Sequence, residues 1–443
     1  MRRSLFCLAG AGVAAAGLVG CVGDDTEVVL PSADASFDAT GVVDANLPLD
    51  AGPIKDGSPV DSSHDAPSNG GDAGDAGADA APSTFLLVTE TATFAQSTLV
   101  ALDVARGTGT SFSYAGGGVN VATTAGPWAL EQSNDLVVRL DPNVPATPLG
   151  SWSVAEPSDA GGFFAHANPY AVAEVGAKAY VALFNRNVVP VLDTTQSPDA
   201  GAPAKTIDLR ALLQDGGDGN VEASAAFYDA TRKRVWLVLG NLHQGGNFLA
   251  CVAGLKSEVV AIDTTTDALL PQVYPLTGYN PSSVVYDPAG DRLLVMNAGC
   301  NAAFADGGEG ALTGASLEQI ALATGQSTTL VDTREQGGYG SLLYVDAHHA
   351  FVSFAGYPTS TTYAWDPAQT TLGAMLQNTP DGFVWDGHAL LGPKQIYLAD
   401  GGLAQAIAEE VDPATGVATQ LVTFPVFAPG DYWESVGLWP PQP

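Results

Sequence analysis

The sequence predicts an all-β protein, a β-propeller of seven four-stranded blades that is preceded by a disordered tether. The first indication is a gapless internal repeat, because Trp128–Asp141 aligns on Tyr180–Asp193 as strand, polar turn, strand and closing Asp. The second is that this ending recurs along the chain, at Asp103, Asp141, Asp193, Asp263, Asp366 and Asp412, with Ala323 as a degenerate copy. The third is the spacing, since about 51 residues per copy match one four-stranded blade.

Residues 1–20 have the three parts of an export signal. Arg2 and Arg3 supply positive charge, Leu5–Val19 supply an apolar stretch, and a small residue precedes the cleavage point. The stretch is too short to span a bilayer, which takes roughly 20 apolar residues. Its end, Leu18-Val19-Gly20-Cys21, resembles the lipobox of bacterial lipoproteins. This resemblance implies cleavage before Cys21, lipidation of this cysteine and anchoring at the outer membrane or cell surface. The general and the twin-arginine export routes both stay open.

Residues 22–84 are built mainly from Asp, Ala, Gly, Pro and Ser. They contain twelve Asp and one Glu against the single Lys55. Such a segment cannot bury enough apolar surface to offset the entropy lost on ordering. We therefore expect residues 21–84 to be a lipidated cysteine with a disordered linker, and residues 85–443 to be the propeller.

The charge of the chain excludes one class of partner. The formal net charge is −32, whereas nucleic-acid binding needs a surplus of Lys and Arg. The same acidity disfavours docking on anionic headgroups, so membrane contact is expected through acylated Cys21. We expect a monomer that binds a protein or carbohydrate of the cell envelope.

The fifth copy of the repeat shows the complete blade. Runs of β-branched and aromatic residues between turn residues predict its four strands, at Ser282–Asp287, Arg292–Met296, Leu317–Ala323 and Ser327–Val331. No amphipathic helix is predicted anywhere in residues 85–443. The stretched fourth copy and the degenerate fifth copy leave six or eight blades open, and an irregular array of β-sandwiches also has short, evenly spaced strands.

Several segments resemble the YVTN-type propellers of extracellular and surface-layer proteins. They are Asn168–Val172, Ala179–Ala182, Asn185 and Val189–Thr194 in the third copy and Asn280–Val284 in the fifth. The resemblance covers about residues 85–440 and implies a fold, without implying an activity.

The two ends of the propeller are expected to close the ring. The first copy begins at Phe85–Val88, which corresponds to a second strand, so it lacks the innermost one. The C-terminal segment Ser435–Trp439 is predicted to supply that strand, which would remove exposed sheet edges.

Propeller topology places the long loops on one face. These are residues 154–168, 240–257 and 297–316, and long loops on a rigid scaffold usually carry binding sites. Cys251 and Cys300 fall in such loops of adjacent blades, and an exported pair predicts a disulfide. The aromatic and cationic residues expected near a ligand are Phe163, His166, Arg186, Lys256 and Tyr279.

Enzymatic signatures are incomplete, and no cofactor is predicted. Gly314–Glu318 is half a nucleophile elbow, and Asp412–Gly416 begins a quinone-propeller motif with Gln420 in place of its tryptophan. The leading hypothesis is therefore a non-catalytic binding or scaffold protein. The rival is a lactonase-like, metal-dependent hydrolase on the propeller channel, whose metal candidates are Glu90, Glu131, Asn185, Asn241, Asn297 and Asp400.

Overall fold

The computed structural model describes residues 83–439 apart from several short segments. The segments left out are residues 92–95, 105, 107, 156–164, 197–202, 246–247, 253, 302–311, 337–339, 355–358, 381–387, 393–394, 401–404, 413–416 and 426–431. The predicted signal, Cys21 and the predicted linker lie outside the described residues, as does Phe163.

The described residues form β-strands and a single turn of 3-10 helix at Arg210–Leu212. The strands are β1 (Phe85–Thr91), β2 (Ser97–Asp103), β3 (Thr108–Tyr114), β4 (Val119–Thr123), β5 (Pro127–Glu131), β6 (Leu136–Leu140), β7 (Pro148–Ser153), β8 (Pro169–Val175), β9 (Lys178–Leu183), β10 (Val188–Asp193), β11 (Lys205–Asp208), β12 (Ala223–Asp229), β13 (Arg234–Leu239), β14 (His243–Gly245), β15 (Phe248–Ala250), β16 (Glu258–Asp263), β17 (Ala268–Pro275), β18 (Pro281–Asp287), β19 (Arg292–Asn297), β20 (Cys300–Asn301), β21 (Leu312–Thr313), β22 (Ser316–Ala321), β23 (Gln326–Asp332), β24 (Leu342–Asp346), β25 (His349–Phe354), β26 (Thr359–Trp365), β27 (Met375–Pro380), β28 (His388–Gly392), β29 (Gln395–Asp400), β30 (Gln405–Asp412), β31 (Val417–Pro425) and β32 (Tyr432–Trp439).

Within the described residues these strands form seven four-stranded antiparallel sheets and two small hairpins. From the innermost strand outwards, blade 1 is β32-β1-β2-β3, blade 2 β4-β5-β6-β7, blade 3 β8-β9-β10-β11, blade 4 β12-β13-β16-β17, blade 5 β18-β19-β22-β23, blade 6 β24-β25-β26-β27 and blade 7 β28-β29-β30-β31. Around the ring, the innermost strand β32 contacts β4, β4 contacts β8, β8 contacts β12, β12 contacts β18 and β18 contacts β24, while β28 contacts β32. The prediction of an all-β propeller with four-stranded blades is confirmed.

The second strand of each well-packed blade is an unbroken apolar run because both of its faces are buried. In β9, Ala179, Val181 and Leu183 pack toward blade 2, whereas Tyr180 and Ala182 pack toward blade 4. Since side chains alternate between the two faces of a strand, each blade contributes to the two hydrophobic cores that flank it. The fold is therefore held together by the layers between blades.

The C-terminal strand supplies the innermost position of blade 1, as predicted. β32 pairs with β1 in antiparallel register, with Phe85 opposite Trp439 and Leu87 opposite Gly437. The Oγ of Ser435 also accepts a hydrogen bond from the Val121 amide at 3.2 Å, which joins this strand to blade 2. The chain therefore closes the ring by pairing its two ends.

The recurring Asp residues cap turns at one end of the propeller. The carboxylates of Asp103, Asp193 and Asp263 accept hydrogen bonds from backbone amides two or three residues later, at 2.8 to 3.0 Å. These turns join third strands to fourth strands. We call this end, with the first-to-second-strand turns, the Asp-turn end; the opposite end, with the second-to-third-strand loops and the blade-to-blade connections, is the long-loop end.

At the long-loop end, a polar side chain of each of three blades accepts hydrogen bonds from backbone amides of the next blade. Asp135 of blade 2 accepts from the Ala167 and Asn168 amides at 2.5 and 3.2 Å. Asn187 of blade 3 accepts from the Val221 amide at 3.1 Å, and Ser257 of blade 4 from the Asn280 amide at 3.0 Å. These bonds fix the point at which each innermost strand begins.

Candidate functional site at the long-loop end

The predicted disulfide is confirmed. Cys251 and Cys300 are bonded, with 5.6 Å between their Cα atoms. Cys251 follows the hairpin β14-β15 of blade 4, and Cys300 begins the hairpin β20-β21 of blade 5. A small apolar cluster surrounds the bond and includes Phe184, Leu242 and Tyr279. The long loops of two neighbouring blades are thus joined covalently over one apolar patch.

The buried polar atoms of the described residues are distributed unequally between the two ends of the propeller. Every buried side-chain nitrogen or oxygen without a hydrogen-bond partner lies toward the long-loop end. The atoms belong to Ser97, Tyr114, Asn168, Asn185, Asp218, Glu222, Asn241, His243, Asn297, Thr333, Gln336 and Thr361. Folded proteins leave few such groups unpaired, because each one costs about 1–3 kcal/mol. Among the described residues, the buried groups that need a further hydrogen-bond partner therefore lie toward the long-loop end.

The Asp-turn end shows the opposite pattern. Both carboxylate oxygens of buried Asp287 accept hydrogen bonds, among them one from Arg292 Nε at 2.7 Å and one from the Tyr344 hydroxyl at 2.6 Å. His348 and His349 also lie at this end, where His349 Nδ1 stands 2.8 Å from Asp346 Oδ1. Local hydrogen bonding accounts for the polar groups of this end.

Two of the predicted metal candidates occupy equivalent positions. The amides of Asn185 and Asn241 bond to the carbonyls of Ala167 and Val221, which lie two residues before β8 and β12. The Nδ2 of Asn185 donates to the His166 carbonyl and that of Asn241 to the Lys256 carbonyl, at 3.1 and 3.0 Å. Each keeps a buried Oδ1 without a partner.

The remaining metal candidates do not continue this pattern. Asn297 lies inside β19, where it pairs with Pro281 as Leu183 pairs with Pro169, so the residue equivalent to Asn185 is Gly299. Buried Glu131 accepts from Asn134 Nδ2 at 2.9 Å, and burial raises the pKa of its carboxyl. Glu90 and Asp400 lie in β1 and β29, with side chains outside the described part. Among the described residues, no three His, Cys, Asp or Glu side chains converge as metal ligands.

The predicted ligand-binding residues form two pairs. Lys256 is exposed, with its Nζ 5.8 Å from the centroid of the Tyr279 ring. His166 Nδ1 lies 3.5 Å from Asp135 Oδ2, beside Arg186. Arg186 itself is buried, and its guanidinium donates to the carbonyls of Ala165, His166 and Asn185. Arg186 therefore holds the entry to blade 3 in place.

The structure reveals an acidic pair that the sequence interpretation missed. Glu222 is fully buried just before β12, with φ of 46°, the position that Gly118, Asn168 and Asn280 occupy in blades 2, 3 and 5. Its Oε2 accepts from the Leu242 amide at 2.8 Å, and Asp218 Oδ1 accepts from the Asn220 amide at 2.9 Å. The remaining oxygens, Asp218 Oδ2 and Glu222 Oε1, are shielded from solvent and receive no hydrogen bond from a donor of the described residues. The two side chains lie close enough for Asp218 to act on Glu222 electrostatically.

The environment of this pair favours protonation. Burial, and next the charge of Asp218, raises the pKa of Glu222 well above its usual range. Burial also raises the pKa of Asp218, against the opposing hydrogen bond from the Asn220 amide. The sequence did contain a signal for this pair. The residue just before the innermost strand is Gly or Asn in blades 2, 3 and 5, whereas blade 4 has the acidic Glu222.

Comparison with solved structures supports the fold. A candidate 6-phosphogluconolactonase from Bacteroides fragilis matches with a TM-score of 0.56 and 13% identity over 82% of this chain and 99% of its own. One from Bacteroides uniformis matches with a TM-score of 0.51 and 11% identity, over 80% of this chain and 99% of its own. A protein from Lactobacillus plantarum has a TM-score of 0.51 and 16% identity, over 80% and 99%.

The likeness is one of fold. No family model and no curated protein matches this sequence. Among the described residues, no helix is long and apolar enough to cross a membrane.

Proposed function

We propose that this protein is an exported, lipid-anchored propeller of YVTN type that binds a component of the cell envelope at its long-loop end. The observation that carries the proposal is that, among the described residues, the unpaired buried polar atoms lie toward this end, since water or a ligand can supply the partners that such atoms lack. The disulfide between Cys251 and Cys300 supports it, because a pre-organised loop surface loses less entropy on binding. The lipobox-like segment ending at Cys21 supports the anchor.

Exposed Lys256 and half-buried Tyr279 offer a part of this surface that a ligand can reach. An aromatic ring beside a cation provides contact area and hydrogen-bond donors at small entropic cost, and aromatic residues often dominate binding energy. Carbohydrates stack on such rings, so the first probes are soluble oligosaccharides prepared from cell wall and outer-membrane glycan, used beside an envelope protein extract.

Calorimetry with these oligosaccharides tests the proposal. Lys256→Ala and Tyr279→Ala should each weaken binding about tenfold or more, the effect of losing an interface hot spot. His348→Ala and His349→Ala serve as matched controls at the Asp-turn end and should leave the affinity unchanged. If only His348→Ala and His349→Ala weakened binding, the ligand would bind at the Asp-turn end and the proposal would be contradicted.

The anchor has a separate test. Growth with an alkyne fatty acid should label the wild-type protein, whereas Cys21→Ser should remain unlabelled because it lacks the thiol that forms the thioether. Equal labelling of the two proteins would contradict lipidation at Cys21.

A lactonase-like hydrolase is the second candidate. Two similar structures are candidate 6-phosphogluconolactonases, and the unpaired Oδ1 atoms of Asn185 and Asn241 are the hard oxygen donors that Ca²⁺ or Mg²⁺ prefers. The described carboxylates do not converge with them, so the residues on hand do not make a complete metal site, and no catalytic step is derived. Stoichiometric binding of Ca²⁺ or Zn²⁺ together with metal-dependent opening of δ-gluconolactone would favour this candidate over a binding protein.

A further inference from the structure

The Asp218–Glu222 pair lies where three parts of the long-loop end meet. Both residues belong to the connection from blade 3 to blade 4, residues 209–222. Glu222 binds the Leu242 amide in the loop that leads to Cys251, while Asn187 of blade 3 binds the Val221 amide and the Gly219 carbonyl. The same connection also uses Gln214, whose side chain bonds to both the amide and the carbonyl of Lys256.

The charged groups around the pair are few. His243 faces Asp218 from the loop of blade 4, and its Nδ1 is buried without a hydrogen-bond partner. Lys256 and Glu258 contact the same connection through Gln214, whose Nε2 donates to Glu258 Oε1 at 3.0 Å and to the Lys256 carbonyl at 2.7 Å. The donors that the two carboxyl groups receive are backbone amides, that of Asn220 for Asp218 and that of Leu242 for Glu222.

Two carboxyl groups in contact cannot both ionise at low cost. If both are charged, the oxygens that face each other have no donor between them, and the repulsion acts inside a site that water does not reach. One shared proton converts this repulsion into a hydrogen bond. The proton then belongs to the pair, which titrates as a unit.

We propose that Asp218 and Glu222 form a proton-operated latch that holds the blade 3 to blade 4 connection against the loop carrying Cys251. With one proton shared, the pair stays in contact and Glu222 keeps the Leu242 amide. When the proton leaves to solvent, repulsion separates the carboxylates and loosens both segments. The latch is independent of which ligand the long-loop end binds.

The direction of the effect follows from the raised pKa of both groups. A carboxyl that titrates at higher pH in the folded state than in the unfolded state contributes stability below the unfolded pKa and loses it as the pH rises. The latch is therefore closed in mildly acidic solution and loosens as the pH rises.

Hydrogen exchange on the full chain tests the latch. The amides of Asn220, Val221 and Leu242 report on it because each bonds to a side chain of the assembly. Between about pH 5 and about pH 9, the range in which buried carboxyls titrate, their protection factors should fall about tenfold or more after correction for the intrinsic rate. The Thr265 amide, bonded to Asp263 at the Asp-turn end, should keep its protection factor.

Two isosteric variants replace the shared proton permanently. In Glu222→Gln the new amide donates to Asp218 while the carbonyl oxygen still accepts from Leu242, and in Asp218→Asn the arrangement is reversed. Both should abolish the pH dependence of protection. The matched control is Asp208→Asn, in the last residue of β11 just before the connection, where an exposed carboxylate pairs with Arg210 at 3.0 Å. It should keep the wild-type pH dependence, as should His243→Gln.

Several outcomes would overturn the latch. These are constant protection of the wild type across the range, an unchanged slope in both isosteric variants, or a slope that His243→Gln alone removes. Since Glu222→Gln and Asp218→Asn act on opposite partners, a folding defect in one leaves the other to decide.

Discussion

At the scale of single residues, the same kind of carboxyl group behaves in opposite ways at the two ends. Burial opposes ionisation of Asp287, yet hydrogen bonds from Tyr344, Arg292 and the Gly290 amide outweigh it and lower its pKa. Glu222 has one backbone donor and a second acid beside it, so its pKa rises. What decides the protonation state is the number of donors that the fold aims at each carboxyl.

Replacing Asp287 tests this contrast. Asp287→Ala should lower the free energy of unfolding by about 3–5 kcal/mol, because it leaves the half-buried guanidinium of Arg292 without its carboxylate. Urea unfolding at neutral pH measures the loss. Asp193→Ala, which removes a partly exposed turn cap, is the matched control and should cost less; an equal loss would show that burial of the pair is unimportant.

Asp287 should also make the free energy of unfolding fall at acidic pH. Its pKa is lower in the folded than in the unfolded state, so its contribution is complete above the usual Asp pKa of about 3.9 and is lost as the pH falls. Asp287→Asn should make this fall shallower in denaturation curves recorded over acidic pH. Retention of the full wild-type slope in the variant would assign the acid sensitivity to other carboxylates.

At the scale of elements, short polar links fix neighbouring blades that are already stacked by apolar packing. β9, β13 and β19 each divide their side chains between two inter-blade cores. The bond between Cys251 and Cys300 joins the end of the hairpin β14-β15 to the start of the hairpin β20-β21, beside the apolar cluster that includes Phe184, Leu242 and Tyr279. These hairpins are therefore the elements most sensitive to reduction.

Removing the disulfide should destabilise the long-loop end without changing the fold. The bridge closes a segment with a sequence separation of 49, so the chain-entropy model gives up to about 4 kcal/mol for Cys251→Ser combined with Cys300→Ser. Thermal and urea unfolding, with circular dichroism as the check on fold, measure the effect. The wild type under reducing conditions should match the double variant; unchanged unfolding of both would mean that the bond adds no stability.

At the scale of the whole molecule, closure decides whether the propeller is one cooperative unit. β32 is separated from β1 by almost the whole domain in sequence, yet it pairs with β1 along its length and contacts β4 and β28. Trp439 Nε1 donates to the Pro142 carbonyl at 2.9 Å, which adds a further link to blade 2. Blades 1 and 2 thus depend on the last described strand.

Deletion of residues 435–443 should lower the melting temperature of the entire propeller. Loss of β32 exposes the Leu86–Val88 backbone of β1 and opens the core shared with blade 2. Differential scanning calorimetry should show one transition shifted downward or broadened. Ser435→Ala, which removes only the hydrogen bond to Val121, is the control and should shift it much less; an unchanged transition after the deletion would contradict closure by β32.

The sequence alone determined the propeller, the closing strand and the disulfide partners. Each rests on a one-dimensional signal: runs of β-branched and aromatic residues between turns, a repeat of about 51 residues, a first copy without its innermost strand, and two cysteines in a domain that is expected to be exported. Strand register and side-chain partners could not be predicted in this way, because they depend on residues that lie far apart in the chain.

Only the tertiary structure decided how the long-loop end is built. Asn185, Asn241 and Asn297 look alike in sequence, but strand register puts Asn297 out of line with the other two. Arg186 carries the charge expected of a ligand contact, yet its guanidinium donates hydrogen bonds to backbone carbonyls of His166 and Ala165. Asp218 and Glu222 are brought together by the fold of the connection before β12, where Glu222 is fully buried and Asp218 half-buried, and the chemistry of a buried carboxyl is set by its neighbours in space.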